Sequence, residues 1–435
     1  MADVVTLLLF GCGVATSGCG KDNSIYDSGD DAAADTAETG DSAETGEPQQ
    51  LEAAAADGIL LGTGGPGSGF GWHLSMHDGL VMPDTVLGGG VEEGWTGEVS
   101  FDSVRTGSPS AYPAWVGDWD GDGLAEAVVT VEGDNADHSL QHRTAYVVEG
   151  PLDRFPDRYE LSEADAAAAV VGTDIGNATL ASAGFVTLAD GSSRATVILP
   201  FTGADLQLVG LAPGSGEPEV LVDGLTLRGW WEEVSPGDLD GDGVADVLLV
   251  GRDAGTAYRF GGLRVGETRS VVDADAAYAI DGATWGGQAD FDGDGDEDLA
   301  VWSDDVGALW LLAGDAAGGS ATDLAFASFQ SSSEDGSEGN RSFASATVGG
   351  RAYMVAAKRA SDAVGHWLPL PVFYGPFSGG YSWDDPPMTI SPLIDGDYLF
   401  GEGLAIGESG DIYVGDLQDG DGYEGVVYRF ANPFP

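Results

Sequence analysis

The 435-residue chain is long enough for two or three average domains, although large all-β folds of this length also occur as one unit. Its 16 Lys and Arg residues stand against 73 Asp and Glu residues, and the resulting formal net charge of -57 disfavours nucleic acid and anionic membranes as partners. The only cysteines are Cys12 and Cys19, which excludes a disulfide framework for the body of the protein.

Residues 1–18 have the pattern of a signal peptide. The apolar run from Val4 to Phe10 is too short to span a bilayer but suits a signal-peptide core. The following Thr16-Ser17-Gly18-Cys19 resembles the lipobox of bacterial lipoproteins, which implies cleavage before Cys19 and a lipid on its sulfur. Cys12 is the alternative lipidation site. Because no Lys or Arg precedes the apolar run, a secreted chain or a displaced start is a second alternative.

The next segment, residues 19–57, is acidic and rich in small residues. Such a composition buries too little apolar area to offset the loss of chain entropy, so we expect a disordered linker. Its like charges repel one another, which favours an extended chain. From residue 58 to residue 435 the sequence changes to apolar runs separated by glycines, and we expect the folded domain there.

Three acidic loops predict calcium sites. Each has carboxylates at positions one, three, five and nine, a glycine at position six and a backbone carbonyl at position seven. The expected ligand residues are Asp118, Asp120, Asp122, Leu124 and Glu126 in the first loop, Asp238, Asp240, Asp242, Val244 and Asp246 in the second, and Asp290, Asp292, Asp294, Asp296 and Asp298 in the third. Calcium takes six to eight oxygen ligands at about 2.3–2.6 Å, and a glycine permits the sharp turn that gathers them. The pattern predicts about three Ca2+ ions.

The nearest alternative calcium motif is the EF-hand, which has a bidentate Glu at position twelve and helical flanks. Position twelve here is Val129, Leu249 or Val301, and the residues after each loop are typical of a buried strand. Acidic hairpin turns that bind no ion are the remaining alternative.

The loops belong to a repeat. Seven matching frames end at a turn glycine and precede a strand-like run; these glycines are Gly79, Gly123, Gly191, Gly243, Gly295, Gly349 and Gly410. Subtracting successive numbers gives spacings of 44, 68, 52, 52, 54 and 61 residues, and periods near 50 favour propellers or arrays. A second aromatic-apolar strand recurs between frames, as in residues 257–260, so each period holds about four short strands. We expect Ile59-Leu60-Leu61 to complete the last sheet.

The motifs resemble the FG-GAP (VCBS) repeats of integrin α-subunits. The resemblance rests on Phe70-Gly71, on Gly-Asp-x-Asp-Gly-Asp-Gly at 117–123 and 237–243, and on the related loop at 290–298. It implies an all-β, seven-bladed β-propeller of about four-stranded antiparallel blades, with Ca2+ between the first two strands of three blades. In integrins these loops lie on the face away from the ligand.

The other four frames lack the carboxylates at positions one and three, so we expect no Ca2+ there. The residues at those positions are Leu74, Met76, Val186, Leu188, Ala344, Ala346, Ala405 and Gly407. A further acidic run, formed by Asp416, Asp419, Asp421 and Glu424, has different spacing, and we interpret it as a hydrated turn rather than a fourth ion site.

No catalytic motif stands out. The chain has no Gly-x-Ser-x-Gly motif, and in a strand the pairs His73/His77 and His138/His142 are about 13 Å apart, too far to share zinc. Tryptophans such as Trp95, Trp230, Trp231, Trp367 and Trp383 are either blade core or sugar platforms.

The leading functional hypothesis is a non-catalytic, calcium-stabilised propeller that binds an extracellular protein or glycan, with no nucleic-acid partner and membrane attachment only through an N-terminal lipid. We expect it at the bacterial cell surface, as an outer-membrane lipoprotein or a secreted protein. A lectin on the same fold and a polysaccharide lyase or hydrolase are the alternatives, and fold alone does not decide among them.

Overall fold

The computed structural model describes most of the second half of the chain and the strands of the first half. The described residues are 49–52, 58–61, 75–76, 79–82, 85–88, 98–100, 111–117, 119–120, 126–133, 142–148, 166–171, 183–202, 205–214, 217–226, 231–251, 254–280, 282–303, 307–330, 343–357, 369–391, 400–407, 409–416 and 426–434. Their secondary structure is almost entirely β, which confirms the all-β prediction. Two short helical turns, a 3-10 turn at Val271–Asp273 and α1 at Ala321–Leu324, interrupt it.

The described strands form seven small sheets, numbered here in chain order. Sheet 1 contains β3 (Ser75–Met76), β4 (Gly79–Met82), β5 (Thr85–Gly88) and β6 (Glu98–Ser100). Sheet 2 contains β7 (Ala111–Gly117), β8 (Glu126–Gly133), β9 (His142–Val148) and β10 (Ala166–Val171). Sheet 3 contains β11 (Ala183–Thr187), β12 (Ser193–Leu199), β13 (Leu206–Leu211), β14 (Pro218–Leu225) and β18 (Arg269–Ser270). Sheet 4 contains β15 (Trp231–Gly237), β16 (Asp246–Gly251), β17 (Thr256–Gly261), β19 (Ala276–Ala279) and β23 (Gly319–Ser320).

The last three sheets follow the same plan. Sheet 5 contains β20 (Ala283–Ala289), β21 (Asp298–Ser303), β22 (Ala308–Leu312), β24 (Ala327–Gln330) and β28 (Gly379–Ser382). Sheet 6 contains β25 (Phe343–Val348), β26 (Arg351–Ala356), β27 (Leu370–Tyr374), β29 (Met388–Ser391) and β1 (Gln49–Glu52). Sheet 7 contains β30 (Phe400–Ile406), β31 (Ile412–Asp416), β32 (Val426–Phe430) and β2 (Gly58–Leu61).

The turn glycines of the repeat fall at equivalent places in the sheets. Six of the seven lie between the first and second strands, and Gly79 is the first residue of the second strand of sheet 1. At the tightest hairpin, Val348 pairs with Arg351 across Gly349 and Gly350, whose φ values are 61° and 78°. Residues with a side chain reach this left-handed region at a cost, which is why two glycines stand there.

Four sheets carry a fifth strand that pairs in parallel with the fourth. In sheets 3, 4 and 5 it comes from the segment between the third and fourth strands of the next sheet along the chain. In sheet 6 it is β1, in which Gln49 pairs with Met388 and Glu52 with Ser391. The sequence placed these residues in the disordered linker, and the structure instead places 49–52 in a sheet.

The N-terminal strand β2 completes the last sheet, as the sequence predicted. Ile59 pairs with Tyr428 and Leu60 with Val427, both antiparallel. The two ends of the folded domain therefore meet in sheet 7.

Neighbouring sheets contact one another in succession, in all but one case through their first strands. Contacts join β4 to β7, β7 to β11, β11 to β15, β15 to β20, β20 to β25, β25 to β30 and β30 to β3. Each sheet thus lies beside the sheets before and after it, and sheet 7 lies beside sheet 1.

The core lies between neighbouring sheets. Along β16, Val247 and Leu249 pack with sheet 3, whereas Leu248 and Val250 pack with sheet 5. All four side chains are at most 1% exposed. Successive side chains of a strand point to opposite faces, so a strand between two other sheets must be apolar on both. This explains the continuous apolar run after the acidic loop, and burying each side chain contributes about 1.5–3 kcal/mol.

Candidate metal centre

The three acidic loops occupy the same topological place. Loop 118–125 joins β7 to β8, loop 238–245 joins β15 to β16, and loop 290–297 joins β20 to β21. Strands flank all three, which confirms the prediction that separated them from EF-hands. In the first loop Asp118, Asp122 and Leu124 lie outside the described residues, so its geometry is given only for its ends.

A hydrogen bond between position nine and position two recurs in all three loops. Trp119 N donates to Glu126 Oε2 at 2.6 Å, Leu239 N to Asp246 Oδ2 at 2.7 Å, and Phe291 N to Asp298 Oδ2 at 2.9 Å. The three acidic residues are 1–2% exposed. The acid at position nine therefore accepts a hydrogen bond from a buried backbone N–H and so links the two ends of each loop.

The loop at 238–246 folds its outer carboxylates back onto its own backbone. Gly243 N donates to Asp238 Oδ2 and Val244 N to Asp242 Oδ1, both at 2.8 Å. Gly243 has a φ of 86°, the conformation that the sequence predicted for a glycine at position six. Because a carboxylate has about four acceptor sites, these bonds leave oxygen lone pairs available for a cation.

Asp246 has the feature that most favours a bound cation in loop 238–246. Its Oδ1 atom is buried and has no hydrogen-bond partner, and a carboxylate oxygen of Asp246 lies within 4.8 Å of oxygens of Asp238 and Asp240. Burial raises the pKa of Asp246 to about 6, and the nearby charge of Asp240 adds to the rise. An unpaired buried carboxylate oxygen is costly, and a divalent cation would supply its partner.

Beside this carboxylate, the backbone leaves room. An ideal Cβ built on Gly261 would lie 3.1 Å from Asp246 Oδ1 and 3.9 Å from Asp240 Oδ2. The glycine thus keeps open the space that these two oxygens share. The residues present fit a hard cation held by carboxylate oxygens.

The loop at 290–298 repeats the same local bonds. Gly295 N donates to Asp290 Oδ2 at 3.1 Å and Asp296 N to Asp294 Oδ1 at 2.9 Å. Carboxylate oxygens of Asp290, Asp292 and Asp294 lie within 4.8 Å of one another. This triad takes its third member from position five, whereas the triad of loop 238–246 takes it from position nine.

Burial and neighbouring negative charges also affect titration in this loop. Burial raises the pKa of Asp298 to about 7, with the charges of Asp292 and Asp294 adding to the rise. Burial is also the main cause of the raised pKa values of Asp292 and Glu297. Full ionisation of this cluster at neutral pH costs free energy, because burial and neighbouring negative charges disfavour it. A bound cation would offset that cost.

The frames predicted to bind no calcium have apolar side chains where the acidic loops have ligands. Val186 and Leu188 are each 1% exposed, and Ala344 and Ala405 are also buried. At the Gly191 hairpin the turn is shorter, since β11 runs to Thr187 and β12 begins at Ser193. The strands there stay paired further into the turn than in the acidic loops.

Of the five tryptophans that the sequence singled out, the structure describes Trp231 and Trp383, and both belong to the core. Trp231 is 2% exposed and stacks on Tyr258 with ring centroids 6.1 Å apart, and Trp383 is 5% exposed against Phe329. Both follow the blade-core interpretation rather than the sugar-platform one. Trp95 and Trp367, the His73/His77 pair and His138, Cys12 and Cys19, and the acidic residues 419–424 lie outside the described residues.

The sequence did not single out Arg259. This arginine is 5% exposed, and its Nη2 atom lies 3.5 Å from Asp240 Oδ2. It belongs to the recurring strand at 257–260, where sheet 5 has Leu311 at the matching place. A charged residue within an otherwise apolar strand segment was the available signal in the sequence.

Searches for relatives give no further assignment. Among the described residues, no helix is long and apolar enough to cross a membrane. A comparison with protein-family models and a search of curated proteins found no match to this chain.

Proposed function

We propose that the protein is a non-catalytic, calcium-stabilised recognition protein whose folded domain is a seven-bladed β-propeller related to FG-GAP repeats. The observation that carries the calcium assignment is the buried, unpartnered Oδ1 of Asp246 beside Asp238 and Asp240. The matching bonds in loop 290–298 support a second site of the same kind.

The propeller is supported by the order in which the sheets meet. Seven sheets contact their neighbours in sequence, and the seventh contacts the first. The N-terminal segment supplies β2 as the fourth strand of sheet 7 and β1 as the fifth strand of sheet 6. In sheets 3, 4 and 5 the fifth strand comes from the sheet that follows along the chain. The fifth strand of sheet 6 is β1, which directly precedes the β2 strand of sheet 7. The same rule therefore holds for sheet 6 if the N-terminal segment closes the ring at sheet 7.

The proposed partner is an extracellular protein or glycan, recognised at the bacterial surface by a chain attached through Cys19 or secreted. This part rests on the resemblance to integrin propellers and on the net charge of -57, which disfavours nucleic acid. The calcium loops are structural in this proposal, and the partner binds elsewhere on the ring. Burial removes Trp231 and Trp383 as candidate sugar platforms for the lectin alternative.

Calcium analysis of chelator-stripped protein tests the core of the proposal. We expect the protein to rebind about three Ca2+ ions and its Tm to rise, because a ligand that binds only the folded state stabilises it by about 2.7 kcal/mol at 100 times its Kd. Asp240→Ala and Asp292→Ala should each remove one ion, because alanine has no side-chain oxygen to bind it. Protein that binds no Ca2+ and melts identically in chelator would refute the calcium assignment.

Recognition is tested separately. We expect specific binding on a glycan array or to a defined panel of extracellular proteins, lost when the domain is unfolded by heat. Turnover of an acidic polysaccharide by the purified chain would instead favour the enzyme alternative.

A further inference from the structure

The loops at 238–246 and 290–298 differ in one buried charge. Arg259 lies on β17, beside the strand that follows the first of these loops, and pairs with Leu248. In sheet 5 the equivalent residue is Leu311, which pairs with Ala300 and is fully buried. Leu248 and Ala300 each lie two residues beyond position nine of their loops, so the two strand positions correspond.

The contacts of Arg259 fix its guanidinium beside loop 238–246. Its Nη1 atom donates to the carbonyl oxygen of Gly314 at 2.6 Å, and its Nη2 atom lies 3.5 Å from Asp240 Oδ2. Its Nε atom is buried without a partner. The side chain is held at one end by the turn after β22 and presents its charge to a predicted calcium ligand.

No described basic residue forms an ion pair with the carboxylates at 290–298. The residues of this loop carry six carboxylates, namely Asp290, Asp292, Asp294, Asp296, Glu297 and Asp298. Loop 238–246 carries four, namely Asp238, Asp240, Asp242 and Asp246, and Arg259 offsets one of them. The local formal charge is therefore -6 in one case and -4 + 1 = -3 in the other.

We propose that Arg259 acts as a built-in counter-cation that makes loop 238–246 the weaker, exchangeable calcium site, while loop 290–298 is the tighter site. This inference rests on the proposed calcium-binding function and adds an order of affinity to it. Calcium affinity in oxygen-ligand loops rises with the number of charged ligands and with rigidity. A guanidinium near Asp240 both competes for that carboxylate and repels the incoming cation. When calcium leaves, Arg259 remains to neutralise part of the loop.

Calorimetric titration of the full chelator-stripped chain with CaCl2 tests the order. All proteins carry Asp120→Ala, which removes a ligand of the first predicted loop, at 118–126. In this background we expect two classes of site, with affinities that differ roughly tenfold or more. Asp292→Ala should abolish the tight class and Asp240→Ala the weak class.

Charge removal then tests Arg259 itself. Arg259→Leu, which copies Leu311, should tighten the weak class by roughly tenfold and leave the tight class unchanged. The control Arg351→Leu removes a positive charge that lies over the Tyr374 ring and should change neither class. If Arg259→Leu does not fold, the two aspartate variants still decide the order.

The outcomes separate this inference from the function on which it rests. Equal affinities, a tighter class that disappears with Asp240→Ala, or no effect of a folded Arg259→Leu would overturn the role of Arg259 while leaving calcium binding in place. Absence of calcium binding in all variants would overturn the proposed function as well.

Discussion

The carboxylate of Asp298 accepts a hydrogen bond from the backbone of Phe291, seven residues earlier, at 2.9 Å. A second amide, that of Asp292, donates to the same oxygen at 3.2 Å. Phe291 is fully buried, so its N–H has no access to water. The position-nine acid is therefore part of the loop fold as well as a proposed calcium ligand.

The first prediction concerns this structural role. Asp298→Ala in chelator at pH 5 should lower the free energy of unfolding by about 1–3 kcal/mol, the cost of an unsatisfied buried donor. At this pH Asp298, with a pKa of about 7, is largely protonated, so the loss reports on the hydrogen bonds rather than on charge. Urea denaturation measures it. The matched variant Asp296→Ala removes an exposed side chain and should stay within about 0.5 kcal/mol of wild type. Equal losses in the two variants would contradict the structural role.

The loop architecture was predictable because its signals are local. Alternating carboxylates with a glycine at position six and an apolar run such as Val247 to Val250 specify a turn followed by a buried strand within a short stretch. The antiparallel strands and the last sheet's partner at 59–61 followed from the same repeat.

The remaining features depend on partners that are distant in sequence. Residues 49–52 (Gln-Gln-Leu-Glu) carry no strong strand pattern and become β1 only because β29 offers an edge. Arg259 meets Asp240 and Gly314, residues that sequence spacing does not bring together. Whether position five or position nine completes a carboxylate triad depends on a few ångströms of backbone placement.

The second prediction is a pH dependence of stability in the absence of metal. The pKa of Asp246 is raised to about 6 and that of Asp298 to about 7, above the ordinary 3.8. Between these limits the folded state binds more protons than the unfolded state, so stability falls as pH rises. We expect the chelated protein to lose stability from about pH 4 to pH 7, on the order of 1.4 kcal/mol for each unit of pKa shift. Thermal denaturation in chelator across this range measures the loss.

Saturating Ca2+ should reverse the trend, because metal ligands must be deprotonated and the ion then stabilises the ionised loops. The Tm difference between Ca2+ and chelator should widen as pH rises. Stability in chelator that increases from pH 4 to pH 7 would show that the buried acids ionise freely without metal.

The third prediction is that one variant is more stable than wild type in chelator and less stable than wild type in Ca2+. Asp298→Asn keeps an acceptor for Phe291 N and removes a carboxylate whose charge is destabilised by burial. At pH 8 in chelator the variant should therefore be more stable than wild type, since an unpaired buried charge is costly. At saturating Ca2+ it should be less stable, because it has lost a negative charge from the site. Melting curves in both conditions provide the test, and a variant that is less stable in both would argue against the desolvation of Asp298.

The fourth prediction concerns Gly314, which lies between the two described acidic loops. An ideal Cβ at this residue would lie 2.3 Å from the carbonyl oxygen of Glu297 and 2.7 Å from that of Leu239. Backbone atoms cannot move aside cheaply, so Gly314→Ala should cost about 1–3 kcal/mol and weaken calcium binding at both loops together. Gly380→Ala is the control, because a Cβ there meets no atom within 4 Å. Denaturation and calcium titration of the two variants provide the test. Equal stability and equal calcium affinity of the two variants would contradict the prediction.

The last prediction concerns the N-terminal strands and the ring that they are proposed to close. A chain that begins at residue 49 keeps β1 and β2, whereas one that begins at residue 62 lacks the pairing of 58–61 with β32 and of 49–52 with β29. Lost backbone hydrogen bonds at roughly 1 kcal/mol each should lower the stability of the shorter chain by several kcal/mol. If the sheets form a closed ring, the whole domain should then melt earlier in one transition, because opening the ring at sheet 7 also deprives sheets 1 and 6 of a neighbour. Calorimetry of the two truncated chains distinguishes this from local fraying, in which the main transition stays in place and only sheet 7 loses its hydrogen-exchange protection.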